Sequence, residues 1–251
     1  MNDFYIGYVP KAPARLARIV RAVALGLVVM TALLSIGLVT AQRPFAASFF
    51  EFGKIQTFRG VIETNPYPVL RVTRPGVAAG VSRYTLVAPG KHGAEQIVQG
   101  FAQQEVTLQG MLIFREGVTL IEVMPGTVQA VPYAAARSAG AGSEPNDLGV
   151  RTLTGEIVDT KCYAGVMNPG SGKVHRDCAA RCISGGIPPA LLSDGTLYYL
   201  VSPRELPVGR EVLDYVGQPV TITGGVLRKG DTNYLRVAPN AIICARRALK
   251  Q

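Results

Sequence analysis

The pattern of apolar and polar positions changes period once along the chain, and that change divides it. Residues 22–41 (AVALGLVVMTALLSIGLVTA) run for twenty positions without a charge. A helix of that length, rising about 1.5 Å per residue, matches a hydrocarbon core of roughly 30 Å, so a transmembrane helix is predicted over 22–41. Beyond Arg43 the apolar residues alternate with polar ones in short stretches broken by Gly and Pro, the pattern of half-buried β-strands.

The strand pattern occurs twice. Phe58-Arg59-Gly60-Val61-Ile62-Glu63 is similar to Leu153-Thr154-Gly155-Glu156-Ile157-Val158, and Tyr84-Thr85-Leu86-Val87-Ala88-Pro89 matches Tyr198-Tyr199-Leu200-Val201-Ser202-Pro203. Val106-Thr107-Leu108-Gln109-Gly110 and Val220-Thr221-Ile222-Thr223-Gly224 follow, each 22 positions after the tyrosine of its own copy. Residues 117–125 and 230–239 close the copies with a Gly turn and a strand ending in Pro. An internal repeat is therefore expected. Each copy has four or five short strands and a middle stretch (91–104; 204–217) able to form a short helix, which predicts a mainly β fold of two tandem small OB-like barrels. The expected domains are a cytoplasmic N-terminus (1–21), the spanning helix (22–41), a first OB-like domain (42–130), an Ala/Gly/Ser/Pro-rich linker (131–150) and a second OB-like domain (151–251).

The copies differ in one interval. From the first-strand glycine to the tyrosine motif is 24 positions in the first (Gly60 to Tyr84) and 43 in the second (Gly155 to Tyr198). The second barrel thus carries an insert, 160–188, which reads as an addition that the barrel itself does not require. It holds Cys162, His175, Cys178 and Cys182, three of the four cysteines and one of the two histidines. Turn residues at 168–172 precede a helix predicted from about Lys173 to Ser184, stopped by Gly185, Gly186 and the prolines after them. On that helix His175, Cys178 and Cys182 share one stripe.

The formal net charge is +9. Lys11, Arg15, Arg18 and Arg21 account for part of it and crowd one side of the span, so the positive-inside bias places the N-terminus in the cytoplasm and the rest outside the inner membrane, in the periplasm. Val39-Thr40-Ala41 also offers the small residues of a signal-peptide cleavage site, but an h-region runs only about 7–15 residues, so a retained single-pass anchor is expected. The remaining basic residues are scattered and there is no Trp. With the export topology, this argues against nucleic acid despite the OB-like pattern.

Topology also bears on the cysteines. Exported cysteines point to two disulfides; because residues at i and i+4 of a helix face the same way, Cys178 and Cys182 are poorly placed to bridge each other. Cys162 would then pair with one and Cys244 with the other. The alternatives are a tetrahedral metal set of Cys162, His175, Cys178 and Cys182, suited to Zn or Cu, and a thiol–disulfide relay activated by Lys173, Arg176 and Arg181. Asp159, just before the cysteine loop, is placed to orient His175 or to cap a turn. His92 reads as a loop residue. No Ser/His/Asp set, phosphate loop or carboxylate pair is present, so no catalytic residue is assigned and no cofactor other than Zn or Cu is expected.

Gly155, Asp159, Cys162, His175, Cys178, Ala179, Cys182 and Gly185-Gly186-Ile187-Pro188 spell G-x-x-x-D-x-x-C…H-x-x-C-A-x-x-C-x-x-G-G-I-P. Over residues 152–239 the chain resembles a group of uncharacterised exported bacterial proteins that carry this pattern on an OB-like domain. The resemblance implies that Cys162, His175, Cys178 and Cys182 act as a set and that Cys244 stands outside it. The function expected is a membrane-anchored binding or accessory subunit of a membrane complex, respiratory or redox-related. The alternatives are a Zn, Cu or thiol–disulfide protein using the cluster, and an exported module that binds a small ligand.

Overall fold

The computed structural model describes residues 13–41, 48–73, 81–115, 117–132 and 145–244. The N-terminal segment with Lys11 and the middle of the expected linker, 133–144, lie outside the described residues. Helix α1 (Ala14–Ala41) belongs to one compact unit and both barrels to another. It begins earlier than the apolar run, drawing Arg15, Arg18 and Arg21 into its first turns. Thr31 and Thr40 donate their hydroxyls to the carbonyls of Leu27 and Ile36 one turn back, at 2.8 and 3.0 Å, which satisfies these polar groups inside the helix. By length and composition α1 can cross a membrane, a property that signal sequences share.

The first barrel consists of β1 (Gln56–Glu63), β2 (Val69–Thr73), β3 (Val81–Ala88), β4 (Glu105–Arg115) and β5 (Val118–Val123). The first three form an antiparallel meander. Strand β3 then runs parallel to β5, β5 pairs with β4, and β4 returns to β1, closing the sheet. The second barrel repeats this with β6 (Asn146–Asp159), β7 (Pro189–Ser193), β8 (Thr196–Val201), β9 (Pro219–Lys229) and β10 (Thr232–Arg236). Its third strand again runs parallel to the fifth, and the fourth closes onto the first. The protein is mainly β, two closed five-stranded OB-like barrels in tandem. Strand β6 starts at Asn146, inside the stretch read as linker, because its first residues pair with the far end of β9 at Leu227 and Arg228.

The repeated glycines have a steric cause. A Cβ on Gly60 would strike the carbonyl oxygen of Arg71, and one on Gly155 would strike that of Leu192. The equivalent first strands thus press against their neighbours where the barrel curls, and only glycine fits there. Within each barrel the alternating residues converge on a core: Ile62, Leu86, Leu108 and Ile121 in the first, Ile157, Leu200, Ile222 and Leu235 in the second. The middle stretch of the second copy forms a 3₁₀ helix (Arg210–Tyr215); that of the first makes a two-residue strand, His92–Gly93, and then turns, with Val98 N–H bonded to the Ala94 carbonyl.

The barrels meet through matching positions of the two tyrosine motifs, Thr85 Oγ1 lying 2.9 Å from the hydroxyl of Tyr199. Tyr67 of the first barrel reaches into the second, donating to the Leu200 carbonyl at 2.6 Å and accepting from the Val208 N–H at 3.2 Å. Burial holds the Tyr67 hydroxyl well above its ordinary pKa, so it stays a donor. Tyr67→Phe is expected to cost about 1–3 kcal/mol, because a buried carbonyl and N–H lose their partner while the ring still packs. Urea denaturation would measure it, and a cost below about 0.5 kcal/mol would contradict the assignment.

The insert is more than an addition to the second barrel. Helix α2 (Arg176–Ser184) turns Ala179 and Ile183 into that barrel's core, while Ala164 packs with Val87, Ile113 and Leu120 of the first. Lys161, 2% exposed, donates to the carbonyls of Ala88 and Gly90 at 2.8 and 2.7 Å and lies 2.5 Å from the Glu122 carboxylate. Three acceptors from the first barrel thus take the three ammonium hydrogens. The segment read as dispensable is a plug for one core and a wedge against the other.

Candidate metal centre

Three parts of the chain build the site. The end of β6 leads through Asp159 into a tight turn beginning at Cys162, which brings that cysteine's thiol inward; only 3% of the residue is exposed. The turn is set by Asp159, whose Oδ1 accepts the Cys162 backbone N–H at 2.8 Å. Helix α2 brings the second part. Since Ala179 and Ile183 face the core, the adjacent stripe of Cys178 and Cys182 must face the Cys162 turn. Gly185 and Gly186 end the helix, and Ile187 N–H returns to the Cys182 carbonyl at 3.1 Å.

The sulfurs of Cys162, Cys178 and Cys182 all lie within 4.8 Å of one another, with 3.9 Å between Cys162 and Cys182. Cys162 and Cys182 are buried against Ile187, whereas Cys178 is half-exposed. His175 is buried too, in a second trio with Asp159 and Cys162. Its Nε2 shares a 3.0 Å hydrogen bond with Asp159 Oδ2. Asp159 therefore fixes both the imidazole and the cysteine turn, the two roles weighed from sequence. His175, expected as the fourth ligand, is not a member of the sulfur trio.

Cys244 lies outside both trios. Its strand, Ile242–Cys244, pairs with β9 and sets it opposite Val220, so the expected bridge from Cys244 to the helix is not formed. All four cysteines are free thiols.

The third part comes from the first barrel, and the sequence reading missed it. Lys91 follows β3, and its Nζ donates to Cys178 Sγ at 2.8 Å and approaches Cys182 Sγ at 3.7 Å. Its loop is held from below by Lys161 and from the side by the Gly93 N–H, which donates to the Gly185 carbonyl at 2.9 Å. A Cβ on Gly185 would collide with the Lys91 carbonyl, so glycine is required where loop and helix end meet. His92, two residues after Gly90, is exposed. No pattern within the insert could point to a lysine seventy residues upstream.

These contacts separate the thiols electrically. The hydrogen bond from Cys162, with the Lys91 charge in support, lowers Cys182 to about 7, against the desolvation that burial imposes. The same sulfur–sulfur bond, then burial and the Asp159 carboxylate, push Cys162 up. Cys182 therefore ionises before Cys162. Ultraviolet titration of thiolate absorbance in the metal-free, reduced chain is expected to show one thiol that ionises through about pH 7. The corresponding midpoint of an ordinary thiol is near 8.5, and such a midpoint for every cysteine would contradict the arrangement.

The chain matches no protein-family model, no curated protein and no solved structure. Its chemistry must be read from its own residues. Besides the thiols, a cleft of about 480 Å³ opens between the barrels beside Arg83, Thr119, Thr196 and Asn233. Its one guanidinium donates to Glu63 at 2.7 Å, and among the described residues no Cys, His or Lys lines it.

Proposed function

We propose that the chain is a membrane-tethered carrier of one soft metal ion, Cu(I) or Zn(II), held by Cys162, Cys178 and Cys182 outside the cytoplasm. The convergence of three sulfurs supports this reading. Thiolates about 2.3 Å from a tetrahedral zinc ion sit roughly 3.8 Å apart, and Cys162 and Cys182 are 3.9 Å apart. Thiolate donors select Zn and Cu(I) over harder ions. The Asp159–His175 pair fixes the Cys162 turn, the kind of outer support that metal sites need. The role we read from this set is binding and transfer, as an accessory subunit anchored by α1 with its N-terminus inside. The test is elemental analysis of the full chain purified in detergent under reducing conditions. About one equivalent of Cu or Zn is expected in the native protein and none after Cys162→Ser.

A second reading rests on the lowered Cys182 beside the raised Cys162. In that case the Cys182 thiolate attacks a partner disulfide and Cys162 resolves it, so the partner's disulfide is reduced to two thiols as Cys162–Cys182 forms. This reading sets a buried sulfur to attack the partner and leaves the half-exposed Cys178 without a role, which is why the metal reading is preferred. Mass spectrometry of thiol-blocked chain from the membrane separates them.

A further inference from the structure

A cation site should not carry a cation at its door, yet Lys91 holds its ammonium 2.8 Å from the most exposed sulfur. The surface around that sulfur is also basic. Lys91 and Arg181 are exposed there, as are Lys173 and Arg176 elsewhere on α2 and the turn before it, against exposed Asp177 and, behind Gly93, exposed Glu95. Arg181 lies three positions after Cys178 on α2, so it flanks that sulfur on the helix surface. A naked metal cation would be repelled from such an entrance, and an anion attracted to it.

We infer that the metal reaches this site as an anionic thiolate complex, and that Cys178 is the sulfur that first displaces one of the carrier's thiolates. This rests on the metal-carrier reading. Cys162 and Cys182 are buried, so a ligand exchange that begins from solvent must begin at Cys178. Lys91 and Arg181 steer the complex, and the departing thiolate leaves as an anion through the same basic mouth. In each exchange one metal–sulfur bond forms as another breaks; the metal's oxidation state does not change, and the incoming cysteine's proton passes to solvent.

The experiment follows loading of the reduced full-length chain in detergent by stopped flow from two donors, the anionic Cu(I)–glutathione complex and the cationic Cu(I)–acetonitrile complex. Arg181→Glu is expected to slow loading from the glutathione complex three- to tenfold and to leave or raise the rate from the acetonitrile complex. Added salt should shrink the difference. Cys178→Ser is expected to abolish fast loading from the glutathione complex, while Cys162→Ser allows a first rapid attachment without retention. Equal effects of Arg181→Glu on both donors, or loading of Cys178→Ser at the unmodified rate, would overturn the inference. Failure of the unmodified chain to retain Cu(I) from either donor would instead overturn the carrier reading itself.

Discussion

Glu122→Ala is expected to destabilise the tandem barrels by about 3–5 kcal/mol. The carboxylate lies 2.5 Å from Lys161 Nζ at a position where both side chains are almost wholly buried. Removing it leaves an ammonium in the interior with only the carbonyls of Ala88 and Gly90 to solvate it, and an unpaired buried charge is among the costliest changes a fold can suffer. The double replacement Lys161→Met with Glu122→Leu removes both charges and is expected to cost far less, because a buried pair barely repays its own desolvation. Equilibrium unfolding of the detergent-solubilised chain measures both. A single-variant cost under about 1 kcal/mol would mean that the pair is not buried as described. The consequence reaches the site, since Lys161 also holds the Gly90 carbonyl and with it the loop that carries Lys91.

Cys182→Ser is expected to weaken metal binding by at least about 100-fold, the upper end of what loss of an outer supporting residue costs. Cys182 is the central sulfur, facing Cys162 at 3.9 Å and Lys91 at 3.7 Å. His175→Ala should be milder, about 10- to 100-fold, because the imidazole acts through Asp159 and the Cys162 turn. Cys244→Ser should bind as the unmodified chain does. Competition with a chromophoric chelator gives all three affinities, and parity between Cys182→Ser and Cys244→Ser would remove the sulfur trio from the account.

The sequence carried the fold well for a physical reason. Alternation, turn residues and the duplicated V-x-[LI]-x-G and Y-x-L-V-x-P segments are local, and local patterns dictate strands. Gly60 and Gly155 stood out in the sequence only as equivalent positions of the repeat; their steric role lies in the close approach of the Arg71 and Leu192 carbonyls. The helix bearing Cys178 and Cys182 was legible from its spacing and stop signals, as was the proximity of Asp159 to His175. What was not legible depended on how the barrels meet. Reading the insert as dispensable failed because Ala164, Lys161, Ala179 and Ile183 are buried by residues far away in sequence. His175 stands with Asp159 and Cys162 in a second group able to hold a metal and not among the three sulfurs, because its Nε2 is taken by Asp159 at 3.0 Å. Lys91 was invisible for the same reason: its role exists only because the first barrel's loop is pinned over the second barrel's helix end.

X-ray absorption at the metal edge, on the full chain loaded with one equivalent of Cu(I) or Zn(II), tests the central claim most directly. Three sulfur neighbours at about 2.2–2.4 Å, lost in the Cys162→Ser variant, are the predicted result. A spectrum dominated by oxygen or nitrogen, or a reduced chain that retains no metal, would contradict it.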